Sequence, residues 1–176
     1  FDLPTSTWMD YNPELISKGG GVFDRKVKSI QLTPEMKALF EIREDVLTPS
    51  DLMQYILKAP VDLLWFGGIG TFVKASTESN TDVGDRVNDL LRINGSDVRT
   101  SVIVEGANLG ITQQGRIEYA KNGGRLNTDA IDNSAGVDCS DHEVNLKILL
   151  GQVMEKNELT LPQRNKLLKD MTQDVA

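Results

Sequence analysis

Residues 101–140, SVIVEGANLGITQQGRIEYAKNGGRLNTDAIDNSAGVDCS, decide the fold. Residues 101–104 carry the β-branched run Val102, Ile103, Val104, which reads as a buried strand and stops at the polar turn Glu105, Gly106, Ala107, Asn108. Thr112 has the short side-chain oxygen that caps a helix, and the helix it opens, carrying Ile117 and Ala120, stops at Asn122, Gly123 and Gly124. A second short strand is expected near residues 125–127, followed by a second polar turn, NTDAIDNSAG. Strand, turn, helix, strand and turn in series imply a right-handed crossover between parallel strands. Ligands of such sheets bind beyond the carboxyl ends of the strands.

Towards the N-terminus, residues 61–65 form an apolar run broken only by Asp62 and closed by Gly67, Gly68 and Gly70, as expected of another buried parallel strand. Asp82 is expected to cap a helix whose face holds Val83, Val87, Leu90 and Leu91, ended by Asn94 and Gly95. The pattern from residue 61 onward is therefore β, α, β, α, β. Before it, Thr33 with Pro34 and Glu35, and Thr48 with Pro49 and Asp51, each mark a cap followed by a first helical turn. Met36, Leu39 and Phe40 make the apolar face of one helix, and Leu52, Tyr55 and Ile56 that of the other. Residues 8–17 read as a short helical piece ended by Gly19, Gly20 and Gly21, while residues 22–32 carry no clear period. From about Asp138 a long helix is expected with Leu146, Leu149, Leu150, Val153 and Met154 on one stripe, then another containing Leu167, Leu168 and Met171. The expected fold class is α/β: a partial parallel sheet with flanking helices, followed by C-terminal packing helices.

A chain of 176 residues suffices for one domain with a core or for one lobe of something larger. Its start at Phe1, running directly into FDLPTSTW, favours the lobe. Hydrophobic content of 39% with 26% charged residues places it among ordinary globular chains, and no apolar run approaches the roughly 20 residues that span a bilayer. A formal net charge of -7 argues against a nucleic-acid partner, which would need clustered Lys and Arg. The single cysteine, Cys139, excludes an internal disulfide and zinc sites built from several thiolates, so a reducing compartment, the cytoplasm, is expected.

Chemistry concentrates at the three strand ends: WFGGIGT, EGANLG and NTDAIDNSAG. Glycines let a backbone approach a ligand closely, and Asn108 and Asn133 offer amides that grip ribose hydroxyls or a carboxamide without adding charge. Each loop alone is equally explained by a tight βα turn with a capping asparagine. Other candidates fare worse. Lys18 precedes the Gly19–Gly21 run, whereas a phosphate-binding P-loop needs its lysine after the glycines. Cys139 and His142, three residues apart at a helix start, cannot easily share a substrate position. Asp138, Asp141, His142 and Glu143 could suggest a metal, but acids in a first helical turn already complement the helix dipole. There is no GxGxxG, so the pyrophosphate turn and ribose-binding acid of a dinucleotide site would have to lie outside this chain.

Residues 1–25, 58–74 (KAPVDLLWFGGIGTFVK), 82–89 (DVGDRVND) and 105–150 resemble the large, multidomain NAD-specific glutamate dehydrogenases of bacteria. The resemblance implies oxidative deamination of L-glutamate to 2-oxoglutarate and ammonia, with hydride transfer to NAD, in an intact enzyme expected to be a homo-oligomer. Residues 1–137 would be the later part of a Rossmann-like NAD-binding domain, and residues 138–176 helices returning toward the substrate domain. The more distant hexameric glutamate dehydrogenases have an EGAN turn, matched by Glu105, Gly106, Ala107 and Asn108, whose asparagine lies beside the nicotinamide ribose. Their NAGGVxxS segment is met by residues 133–140, with Ala135 where they have a first glycine. By that match Asn133 faces the nicotinamide amide, and Val137 and Ser140 line the pocket for the substrate side-chain carboxylate. Gly67, Gly68, Gly70 and Gly106 would border the cofactor. The family's catalytic lysines and acid, substrate-binding lysine and glycine fingerprint have no match here, so the chain alone is expected to be inactive. The alternative is a regulatory or scaffolding module that keeps the nucleotide-fold shape while binding a small effector or a partner subunit.

Overall fold

In the computed structural model, residues 7–175 are described; Phe1 lies outside them. A small N-terminal layer pairs β1 (Ile30–Gln31) antiparallel with β2 (Val46–Leu47) and packs it against α1 (Pro34–Phe40) and α2 (Pro49–Leu57). Both helices start as expected: the Thr33 hydroxyl accepts from the Met36 N–H and the Thr48 hydroxyl from the Asp51 N–H, each with proline in the first turn. Such a cap stabilises a helix by about 1 kcal/mol. Ile30, Leu32, Met36, Ile42 and Leu52 form the core here. Leu39 and Ile56, expected on the apolar faces, are exposed instead, because the helices are short and pack on one side only.

The main sheet has the order β3-β6-β7, all parallel: β3 (Leu63–Phe66), β6 (Val102–Glu105) and β7 (Arg125–Leu126). The helix α4 (Gln113–Lys121) makes the crossover from β6 to β7, capped by Thr112 and ended at Asn122. Strand β3 starts two residues later than the apolar run suggests, and the Asp62 carbonyl just before it accepts the Val102 N–H at 3.0 Å. Phe66, Val73, Ile93, Val98, Ile103, Ile111 and Tyr119 make one core on the α4 face. The opposite face, carrying Leu63 and Trp65, is open: Trp65 is 63% exposed. Parallel sheets are normally covered on both faces.

The segment between β3 and β6 departs from the expected single helix. Asp82 is not a cap: Ser79 caps a short α3 (Asn80–Val83), and Asp82 reaches back to the Ser79 N–H as the acid of a capping box. Gly84, at φ 75°, ends that helix in the left-handed conformation, and a single 3-10 turn (Arg86–Asn88) follows. Val87 and Leu90 are exposed in consequence. The segment is completed by a second parallel pair, β4 (Val73–Lys74) with β5 (Ile93–Asn94), which is too short for periodicity to reveal. Buried Arg92 holds it together, donating to the carbonyls of Thr71 and Asp85 and to the side chains of Asn80 and Asp89.

Residues 8–17 form two 3-10 turns (Trp8–Asp10 and Pro13–Leu15) rather than one helical piece, since Asn12 and Pro13 restart the chain. After a short α5 (Asp129–Asp132), the long α6 (Ser134–Glu155) begins four residues before the expected Asp138. The helices α7 (Leu161–Asp170) and α8 (Thr172–Val175) follow. Leu150 is buried on α6, while Leu149 is exposed.

Candidate functional site

Register builds the site. Phe66 lies opposite Glu105 in adjacent parallel strands, so the loops entered at Gly67 and Gly106 leave the sheet side by side. The Trp65 indole lies against both: a Cβ at Gly106 would stand 2.4 Å from the indole Nε1, and one at Gly67 would stand 2.7 Å from the ring. Gly70, at φ 136°, adopts a backbone conformation that L side chains avoid, and its α-carbon is backed by Phe72 and Asn88. Gly68 faces open space. The Thr71 hydroxyl donates to the Leu109 carbonyl at 2.7 Å and Phe72 N–H to the Gly110 carbonyl at 2.9 Å, which ties the first loop to the second.

The turn after β6 is held from beneath by charge. Glu105 is fully buried, and its carboxylate accepts from Arg116 Nε at 2.7 Å, Arg116 Nη2 at 2.9 Å and the Ile111 N–H at 3.1 Å. A buried carboxylate is tolerated only with such partners. Burial by itself would lower the Arg116 pKa, but hydrogen bonding and charge from Glu105, reinforced by Asp129, more than offset it and raise it. Arg116 therefore stays cationic at any working pH.

The third loop closes onto the second through two aspartates. Asp132 accepts the Glu105 N–H at 3.1 Å and the Asn127 amide at 3.0 Å. Asp129 accepts the Leu109 N–H at 2.8 Å and Arg116 Nη2 at 3.1 Å. Between these clamps, Asn133 Nδ2 donates to Asn108 Oδ1 at 2.7 Å. Gly136 makes room for it: a Cβ there would lie 2.4 Å from Asn133 Oδ1. Val137 and Ser140 follow Asn133 at four and seven residues, on the same side of the first turns of α6, and both are half-buried.

The structure thus brings Asn108 and Asn133 into direct contact and sets Gly67 and Gly106 against one indole. Gly70 belongs to the loop tied to that turn, and Val137 and Ser140 lie on the first turns of α6 that follow Asn133. Of the residues that hold this arrangement, Glu105 enters the sequence reading only as the start of the EGAN turn, and Arg116, Asp129 and Asp132 carry no role there. One signal was available. Glu105 sits two residues after buried Ile103 on an alternating strand, an inward position at which a carboxylate demands a partner. Nothing local marks that partner as Arg116.

Elsewhere, a cleft of about 560 Å³ opens at the amino ends of β6 and β7, lined by Arg99, Thr100, Tyr119, Gly123 and Arg125 among others. Its buried hydroxyls are already paired, Tyr119 to the Thr100 carbonyl and Thr100 to that of Val102. The convergence of loops at the other end of the sheet is the better candidate. Among the described residues, no group of three or more His, Cys, Asp or Glu could hold a metal ion, and no helix is long and apolar enough to cross a membrane.

These features define an α/β protein whose candidate site sits at the carboxyl end of a parallel sheet. The chain belongs to the family described as bacterial NAD-glutamate dehydrogenase, catalytic domain, whose sequence profile matches residues 1–176. It is 57% identical over 176 residues to a protein of Pseudomonas aeruginosa, and 56% identical over 176 residues to one of Halomonas elongata. It is 51% identical over 182 residues to one of Mycobacterium tuberculosis, and all three are named NAD-specific glutamate dehydrogenase. Each comparison covers the whole of this chain but 11% of the relative's length.

Proposed function

We propose that this chain forms the later part of a Rossmann-like NAD-binding domain in an NAD-dependent glutamate dehydrogenase, with residues from about 138 onward returning toward the substrate domain. The intact enzyme removes a hydride from the α-carbon of L-glutamate, and water then releases 2-oxoglutarate and ammonia. When bound, NAD supplies the hydride acceptor; the residues here bind and orient. The observation that carries this reading is the Asn108–Asn133 amide pair at the carboxyl end of the sheet. The contact uses Asn133 Nδ2 and Asn108 Oδ1, which leaves the Asn108 NH2 as donor and the Asn133 carbonyl oxygen as acceptor for a carboxamide or ribose hydroxyls. Val137 and Ser140, further along α6, contribute to the pocket for the substrate carboxylate. The open face around Leu63 and Trp65 and an edge of β3 that no other strand pairs with among the described residues fit a sheet that continues in the rest of a longer polypeptide. We place the enzyme in the cytoplasm as a homo-oligomer.

Asn108→Ala and Ser140→Ala in the intact enzyme test this reading. It requires at least about a tenfold loss in kcat/KM from each, the size of one well-made hydrogen bond to a reacting complex. Unchanged kinetics in both would favour the scaffolding alternative. The chain by itself turns over no glutamate, and measurable turnover by it would contradict the division of labour proposed.

A further inference from the structure

We infer that Asp129 is a positioning residue for the Asn108–Asn133 pair, an inference that rests on the function proposed above. Its carboxylate, 13% exposed, reaches both halves of the site. One oxygen accepts the N–H of Leu109, the residue directly after Asn108, at 2.8 Å. The other accepts Arg116 Nη2 and the Ala130 N–H, each at 3.1 Å. The Asp129 carbonyl then accepts the N–H of Asn133 at 2.8 Å. One residue therefore fixes the main chain beside each asparagine.

Leu109 shows why the tether matters. It sits at φ 56°, in the left-handed region that a leucine occupies only when its surroundings hold it there, and its side chain is largely exposed and cannot do so. The hydrogen bond to Asp129 is what its N–H gains in that conformation. The Leu109 carbonyl is held separately, by the Thr71 hydroxyl at 2.7 Å. Without Asp129 the N–H side of the turn, which leads back to Asn108, loses its tether and the Asn108 amide shifts relative to Asn133. Arg116 still meets Glu105 through two nitrogens without Asp129, although Nη2 is shared with it.

The test is Asp129→Asn in the full-length enzyme. An asparagine has one acceptor oxygen, so it faces either Arg116 or the Leu109 N–H with a donor. The expected result is a rise of about tenfold in the dissociation constant for NAD, measured by calorimetry without glutamate, and in the KM for NAD. The melting temperature falls as well, because the amide sets a donor against Arg116 or the Leu109 N–H. Adding Leu109→Gly, which takes positive φ freely, should recover most of that loss. A KM for NAD that stays within twofold of wild type would overturn the inference, whatever happens to specific activity or melting temperature. If Asp129→Asn does not accumulate as folded protein, Asp129→Glu keeps the charge, displaces the carboxylate and is judged by the same criterion. Asn108→Ala, measured in parallel, separates the two levels. A rise in KM there with none in Asp129→Asn sinks only the positioning role, whereas no effect of Asn108→Ala removes the functional reading beneath it.

Discussion

The side-chain amide of Asn133 donates to that of Asn108 across 2.7 Å, joining residues 25 apart in the chain at the mouth of a parallel sheet. Two groups in direct contact that face one ligand should not act independently. In the intact enzyme, Asn108→Ala and Asn133→Ala should each lower kcat/KM, and the double variant should fall short of the product of the two losses by about fivefold, a coupling near 1 kcal/mol. Strictly multiplicative losses would show that the contact is irrelevant to catalysis.

Arg116 and Glu105 form the buried ion pair beneath that contact, with side chains 9% and 0% exposed. Removing one partner strands the other charge, so Arg116→Met should cost about 3–5 kcal/mol. Thermal melting of the intact enzyme should show the affected transition falling by more than about 5 °C. The double variant Arg116→Met with Glu105→Gln, lacking the stranded charge, should recover part of the drop. Equal melting of single and double variants would mean that the charge was never isolated.

Gly106 has Trp65 in the space a side chain would take. Gly106→Ala places a methyl 2.4 Å from the indole Nε1, so ring or turn must move, at about 1–3 kcal/mol. Gly68→Ala meets nothing within 4 Å and should leave melting unchanged. If the clash is the cause, adding Trp65→Ala to Gly106→Ala restores the melting temperature. No rescue would place the cost in the backbone.

Asp85 supplies a pH signature. Its carboxylate accepts the Thr71 N–H at 2.9 Å and the Asn88 amide at 2.7 Å, and these bonds, with the nearby Arg92 charge, hold its pKa below the ordinary value. Because the folded pKa is the lower one, the stabilisation is complete above the unfolded value of about 4 and is lost as pH falls through the folded value. Asp85→Asn should therefore melt below wild type at pH 7 and approach it near pH 3. A constant gap across that range would assign the role of Asp85 to something other than its charge.

The parallel character of β3, β6 and β7, though not their order in the sheet, is legible because apolar runs, capping threonines and glycine stops all act within a few residues of each other. Thr33, Thr48 and Thr112 each cap the helix they announce. Local signals failed where two of them competed. Ser79 and Asp82 belong to one capping box, and Gly84 then stops the helix that the valine and leucine spacing beyond it promised. The β4–β5 pair left no trace, since two-residue strands have no period to detect.

The sequence by itself determined the α/β class, the strand-end loops and, through a motif such as EGAN, the family resemblance, since all of these reside in short contiguous runs. Tertiary structure alone decided that Arg116 reaches back 11 residues to Glu105, that Asp129 and Asp132 fasten the third loop to the second, and that Asn108 meets Asn133. Those pairings depend on strand register and crossover length, which set distances between residues far apart in the chain. No neighbouring residue encodes that separation.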